Sequence, residues 1–240
     1  LEFRRVLFRS AGLAIASGAA LAAPTVSITT DESSPINDQP IFSTDYFSWL
    51  EGATVTFNGT STSQSVLWAA GNGNWGAGSL CGGATATSAT GGAVSLGGCG
   101  DTFLERWELS NGFGESILDV TIDLTDIGHF FDRTLGGDFG TDQSFRGNDF
   151  TFIGSTPELF GDIGVEYSRP GASLPRDLYG VLKLDFGGLT SQSGDGVPDD
   201  SVLTFFQDTD PPTPVPVPAA AWLLAGGLGA LVGLRRRRRG

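Results

Sequence analysis

The sequence predicts an all-β body, an antiparallel β-sandwich or jelly-roll, with an N-terminal signal segment and a single C-terminal transmembrane helix. Three observations carry this. Short runs alternate apolar and polar residues with period two, Gly, Pro, Asn and Asp punctuate them, and no amphipathic stretch of helical period lies between the termini.

The first element is a signal. Arg4, Arg5 and Arg9 precede the apolar run Ala11 to Leu21, and Ala20-Leu21-Ala22 supplies a small-residue cleavage site, so residues 1–22 read as a signal peptide. Leu1 to Ser10 resembles translated sequencing-adapter read-through, and the chain contains no methionine. Residues 1–10 are therefore expected to be foreign sequence in place of the true start.

Residues 23–210 form the body. Ala53 to Phe57 alternates, as do Leu118, Val120, Ile122 and Leu124 against Asp119, Thr121 and Asp123, and Leu182, Leu184 and Phe186 against Lys183 and Asp185. One polar and one apolar face per strand is the signature of antiparallel sheet. Phe103, Trp107 and Leu109 suggest another strand, with Glu105 intruding on its apolar side, and Asp149 to Ile153 and Val202 to Phe206 suggest two more. Turns are expected at Asn111-Gly112, Gly136-Gly137, Pro170-Gly171 and Gly187-Gly188. Gly71 to Gly100 is so rich in glycine that it is expected to be a long excursion without firm regular structure. It carries both cysteines, Cys81 and Cys99, whose pairing would suit an exported protein and contribute around 3 kcal/mol by closing a loop of about 19 residues.

Candidate sites are few. Asp195, Asp199 and Asp200, with Asp208 and Asp210 one strand later, offer the oxygen ligands that calcium takes, and a solvated acidic turn is the alternative. Asp138, Asp142 and Asp149 are a weaker set. His129 is the sole imidazole, so any Ser-His-Asp or Cys-His arrangement must use it, yet no nucleophile elbow accompanies it. Zinc lacks the usual ligands. Glu105 and Glu108, three apart on one strand, face opposite sides and cannot flank one glycosidic bond. Trp75, among glycines and asparagines, could stack on a sugar, whereas Trp49 and Trp107 read as core. The body's basic residues are Arg106, Arg133, Arg146, Arg169, Arg176 and Lys183, against nearly all of the chain's 27 acids, which excludes nucleic acid as a partner.

The C-terminus has three parts. Pro211 to Pro218 is a proline-rich spacer that favours an extended backbone. Ala219 to Leu234 carries no charge and spans about 24 Å as a helix, short against a hydrocarbon core of about 30 Å. Trp222 at one end, and Arg235, Arg236, Arg237, Arg238 and Arg239 at the other, suit the two interfaces, with the arginines as a cytoplasmic membrane stop. Residues 219–240 are thus read as the transmembrane helix and its basic end.

Val215, Pro216, Val217, Pro218 and Ala219, then the short apolar helix and the arginines, resemble the sorting tails of the PEP-CTERM class, nearest the variant reading Val-Pro-Leu-Pro-Ala. Val217 stands where leucine is usual. The resemblance implies a tail recognised by an exosortase, which cuts near the proline motif and delivers the body to the cell surface or extracellular matrix of an exopolysaccharide-producing Gram-negative bacterium. Trp107 to Gly112, Ile117 to Leu124 and Leu184 to Gly188 loosely resemble the bodies that precede such tails. The chain is accordingly read as an exported, non-enzymatic surface protein, anchored in the membrane only until processing and needing no cofactor other than calcium. A module binding the cell's exopolysaccharide is the alternative, and a carboxylate-dependent glycoside hydrolase a third reading.

Overall fold

Alternation along each strand sorts its side chains between core and surface. In the run Thr54–Gly59, Val55 and Phe57 are buried between partly exposed neighbours, and in Val181–Ser191 the same holds for Leu182, Leu184 and Phe186. The computed structural model describes residues 24–30, 45–71, 80–133, 147–156, 158–168, 178–191 and 194–211.

In chain order the described strands are β1 (Thr25–Thr30), β2 (Thr54–Gly59), β3 (Ser63–Leu67), β4 (Ala69–Ala70), β5 (Cys81–Thr87), β6 (Ala93–Cys99), β7 (Trp107–Gly112) and β8 (Ile117–Asp123). There follow β9 (Phe130–Asp132), β10 (Thr151–Thr156), β11 (Phe160–Ser168), β12 (Leu178–Tyr179), β13 (Val181–Ser191), β14 (Gly194–Asp195), β15 (Ser201–Phe206) and β16 (Asp208–Asp210). One sheet runs β1-β11-β13-β8-β2-β3 with β14 on β13, a second runs β10-β15-β7-β6-β5-β4, and a small third runs β12-β9-β16. Pairing is antiparallel except between β1 and β11, which run parallel from Thr25 opposite Asp162 to Thr30 opposite Tyr167.

The two large sheets share one hydrophobic cluster, in which Val55, Val120, Ile122 and Leu184 of the first join Leu96, Trp107, Leu109 and Phe205 of the second. This is an all-β, sandwich-like arrangement. Its centre is aromatic. Trp107 lies 5.0 Å from Phe47, 5.5 Å from Trp68 and 5.9 Å from Phe205 between ring centroids.

Four expectations need correction, the first being the turns at Asn111-Gly112 and Gly187-Gly188, which instead lie inside β7 and β13. Within Gly71 to Gly100, residues 81–99 form a hairpin of two seven-residue strands, Cys81 opposite Cys99 through Thr87 opposite Ala93. Its glycines make room. A Cβ on Gly98 would lie 2.5 Å from the Phe47 ring, and one on Gly82 would lie 2.2 Å from the Phe47 carbonyl oxygen and 2.5 Å from Trp68 Nε1. Phe103 is not in a strand, since β7 begins at Trp107 after a turn that leaves Glu105 exposed. On β8, Ile117 is buried and Leu118 only partly so, because a bulge between Asn58 and Gly59 shifts the register there. Among the described residues no helix is long and apolar enough to cross a membrane. Residues 1–22 and 212–240, which hold the expected signal and transmembrane helix, lie outside them.

The turn joining β2 to β3 is built on one carboxylate. Glu115 accepts hydrogen bonds from the Thr60 hydroxyl, the Ser61 amide and the Ser61 hydroxyl at 2.7 Å each, and from the Thr62 hydroxyl. The bond from Thr62 does most to lower the pKa of Glu115, from an ordinary 4.5 to about 2.

Two predictions follow from these contacts. Gly98→Ala should destabilise the body by about 1–3 kcal/mol through crowding against Phe47, whereas Gly154→Ala, with nothing within 4 Å of the added carbon, should be neutral or slightly stabilising; urea denaturation curves separate the two. Because the carboxylate of Glu115 is favoured in the folded state, its contribution is complete above pH 4.5 and lost as pH falls toward about 2. Glu115→Gln should therefore flatten the stability profile in that window, read from denaturation midpoints at pH 6 and pH 3.

Candidate metal centre

The third sheet brings acids together that the chain holds far apart. In the antiparallel register of β9 and β16, Asp208 lies opposite Asp132, and Asp210 follows two residues on, so period two sets all three on one side. Asp132 and Asp208 are fully buried and Asp210 is 3% exposed. One carboxylate oxygen from each lies within 4.8 Å of the other two.

Asp208 is the centre of the group. Its Oδ1 accepts from the Thr209 amide at 2.9 Å and the Thr102 hydroxyl at 3.3 Å, both neutral donors, while its buried Oδ2 has no hydrogen-bond partner among the described residues. Burial, and then the charge of Asp132, push its carboxyl well above the usual carboxylate range. Directly opposed like charges on paired strands repel.

The surroundings fix these groups. The Asp45 amide donates to the Thr209 carbonyl at 3.2 Å, and the Thr102 amide to the Asp45 carbonyl at 3.0 Å, which ties both segments to β16. Asp45 is fully buried; its Oδ2 meets His129 Nδ1 at 2.5 Å, and its Oδ1 has no hydrogen-bond partner among the described residues. Burial raises the pKa of Asp45, and the bond to His129 opposes the rise. Arg133, beside Asp132 in sequence, sends its guanidinium to Asp149 at 2.6 and 3.2 Å and lays it 4.8 Å from the centre of the Tyr167 ring. Gly147 is required by this packing, since a Cβ there would lie 2.7 Å from Asp132 Oδ1.

Gln207 joins the centre to the core. Its amide donates to the carbonyls of Asn148 at 3.0 Å, Asp208 at 3.0 Å and Asp132 at 3.4 Å. Its carbonyl accepts from Trp107 Nε1 at 2.7 Å, and its Oε1 accepts from the Tyr167 hydroxyl, which in turn accepts from the Phe150 amide at 3.0 Å.

The five aspartates singled out in the sequence do not form one cluster. Asp195, Asp199 and Asp200 are exposed before β15, with Asp199 accepting from the Gly114 amide at 2.8 Å and Asp200 held at a φ of 57°. Asp208 and Asp210 lie past its other end, and the six residues of β15 span about 20 Å. Asp132 was missed because only strand pairing brings it to Asp208. The available signal was the aspartate that closes the short run Phe130–Asp132 and the pair that bounds Asp208–Asp210. Cys81 and Cys99 are joined in a disulfide across the β5–β6 hairpin, Cα to Cα 3.9 Å. Trp107 is buried, but Trp49, read as core, is 49% exposed and sits edge-on to Tyr46 at 4.9 Å. The reason is the 3-10 turn Phe47–Leu50, which turns Phe47 and Leu50 inward and Trp49 out. Trp75, Asp138, Asp142, Val215 to Ala219 and Arg235 to Arg239 lie outside the described residues.

No family model, curated protein or solved structure matches this chain. The chemistry of the centre is therefore read from its donors alone. These are carboxylate oxygens in a water-poor setting, a donor set for a hard cation rather than for zinc or copper.

The hydroxyl of Tyr167 serves two buried partners at once. Tyr167→Phe should leave the Phe150 amide and Gln207 Oε1 short of a partner and cost about 1–3 kcal/mol, measured by chemical denaturation.

Proposed function

We propose that this chain is an exported, non-catalytic cell-surface or matrix protein, a two-sheet β-sandwich body brought out by the N-terminal signal and cut by an exosortase at Val215 to Ala219. The observation that supports it best is the Cys81–Cys99 disulfide inside the second sheet, a bond that persists in oxidising compartments outside the cytoplasm. The chain order agrees: β16 ends at Asp210, and Pro211 opens the spacer that leads to the sorting motif. The clustered aspartates lie too deep to meet a sugar, so they lend nothing to the hydrolase reading.

A second reading, binding of exopolysaccharide, is favoured by Trp49. Its half-exposed indole, braced edge-on by Tyr46, presents a ring face of the kind that stacks on sugars.

The intact mass of protein recovered from a native-like host tests the first reading. A product starting near Ala23 and ending near the proline motif is expected only when the exosortase is present. A tail kept in both the parent and the exosortase-deletion strain would make the chain a plain membrane-anchored protein. For the second reading, Trp49→Ala should abolish retention on immobilised exopolysaccharide while leaving the melting temperature unchanged; equal retention would remove Trp49 from glycan contact.

A further inference from the structure

We propose that Asp132, Asp208 and Asp210 hold one calcium ion between β9 and β16, and that this ion clamps the last strand of the body ahead of its C-terminal tail. The spacing of the oxygens and the state of Asp208 carry the assignment. Calcium binds oxygen at about 2.3–2.6 Å, so two ligands on opposite sides of it lie up to about 5 Å apart, which accommodates three oxygens within 4.8 Å of one another. Magnesium, at about 2.0–2.1 Å, reaches only about 4.2 Å between opposite ligands and gives up its water reluctantly, which suits a buried site poorly. Beyond the spacing, Asp208 is fully buried, its Oδ2 has no hydrogen-bond partner among the described residues, and both donors to its Oδ1 are neutral. A buried carboxylate oxygen left this way is costly, and a cation supplies the missing partner. The carboxylates can bind through one or both oxygens, with backbone carbonyls or water completing a shell of six to eight.

The ion would act on strand order. β16 is three residues long and meets β9 with Asp208 directly against Asp132, so without a cation the pairing works against like-charge repulsion. With calcium the same residues draw the strands together. The site stands on its own geometry; only the timing of its filling rests on the export reading, since extracellular modules bind calcium at about 10⁻⁴–10⁻³ M and such a site would fill outside the cell.

The test uses the full chain in detergent, stripped with EGTA at neutral pH and titrated with calcium chloride by calorimetry. One site per chain is expected, with a melting temperature raised by about 5 °C at saturating millimolar calcium and restored by EGTA. Terbium should show luminescence excited through tryptophan and displaced by calcium, because the Trp107 indole bonds the carbonyl of Gln207, the neighbour of Asp208. Asp208→Asn and Asp210→Asn should each weaken calcium binding at least about 10-fold, and Asp199→Asn should leave it unchanged. The stability order should also invert, with Asp208→Asn at least as stable as the parent in EGTA and less stable in calcium. No heat and no thermal shift in the parent protein would overturn the proposal, whether or not the variants fold. So would an Asp208→Asn protein that binds as the parent does, or a site lost on Asp199→Asn. Because no exosortase enters these measurements, failure here is separable from failure of the export reading.

Discussion

Trp107 sets the constraint on which the other parts of this fold depend. Its ring is fully buried between the sheets, edge-on to Phe47 and Trp68 and stacked on Phe205, while its indole N–H reaches the Gln207 carbonyl. A tryptophan in a core must find an acceptor for that N–H. Here the acceptor is the residue just before β16, so the demand that places the aromatic core also places the strand bearing two of the three clustered acids. The rest of the packing answers to the ring. Phe47 and Trp68 lean toward the β5–β6 hairpin because Gly82 and Gly98 leave space for them, and the Trp68 N–H is satisfied by the Phe47 carbonyl at 2.7 Å.

The carboxylate centre is a local conflict maintained by that rigid frame. Burying charge costs several kcal/mol per ion unless it is well compensated, and among the described residues the Arg133 guanidinium is aimed at Asp149 and the His129 ring at Asp45. Tyr167, Gln207, Trp107 and the Gly147 backbone nevertheless hold the aspartates close. Neighbouring groups that could have turned the acids toward solvent instead fix them inward. Such an arrangement costs stability by itself, which points to a compensating partner at the site rather than to incidental crowding.

The strands legible in the sequence were those whose burial is one-sided. Val55 and Phe57, Val120 and Ile122, and Leu182 and Leu184 announce themselves by period two, and the structure puts each set in the shared core. The β5–β6 hairpin was illegible for a physical reason: its glycines are selected by the rings pressing on them from Phe47 and Trp68, so composition suggested looseness where the structure has close contact. The parallel pairing of β1 with β11 left no local signal either, since nothing in Thr25–Thr30 distinguishes its partner. The site was half legible. Asp208 and Asp210 drew notice as oxygen donors near a turn, but grouping by sequence distance joined them to Asp195, Asp199 and Asp200, although an extended strand carries neighbours in sequence far apart in space. Asp132 and Asp45 become part of the centre only through pairings between distant segments.

The position of the centre also bears on the order of assembly. Contacts between distant segments form only after loop closure, which makes them late in a chain built from such pairings. The β5–β6 hairpin is local, and its disulfide joins residues separated by 18 positions, so it can form without waiting for the distant pairings. β16 is the last described strand, and its partner β9 must wait for it. Closure of the small sheet is then a late step among the described strands, and the residues that meet in it set two carboxyl groups directly against each other. A cation available only after export would make completion of the fold depend on arrival, with the proline spacer leaving from the strand it secures. In that arrangement the acidity of the body is more than a means to solubility. Three of its carboxylates are gathered on the last described pair of strands, β9 and β16, where a cation would act on the closing of the fold.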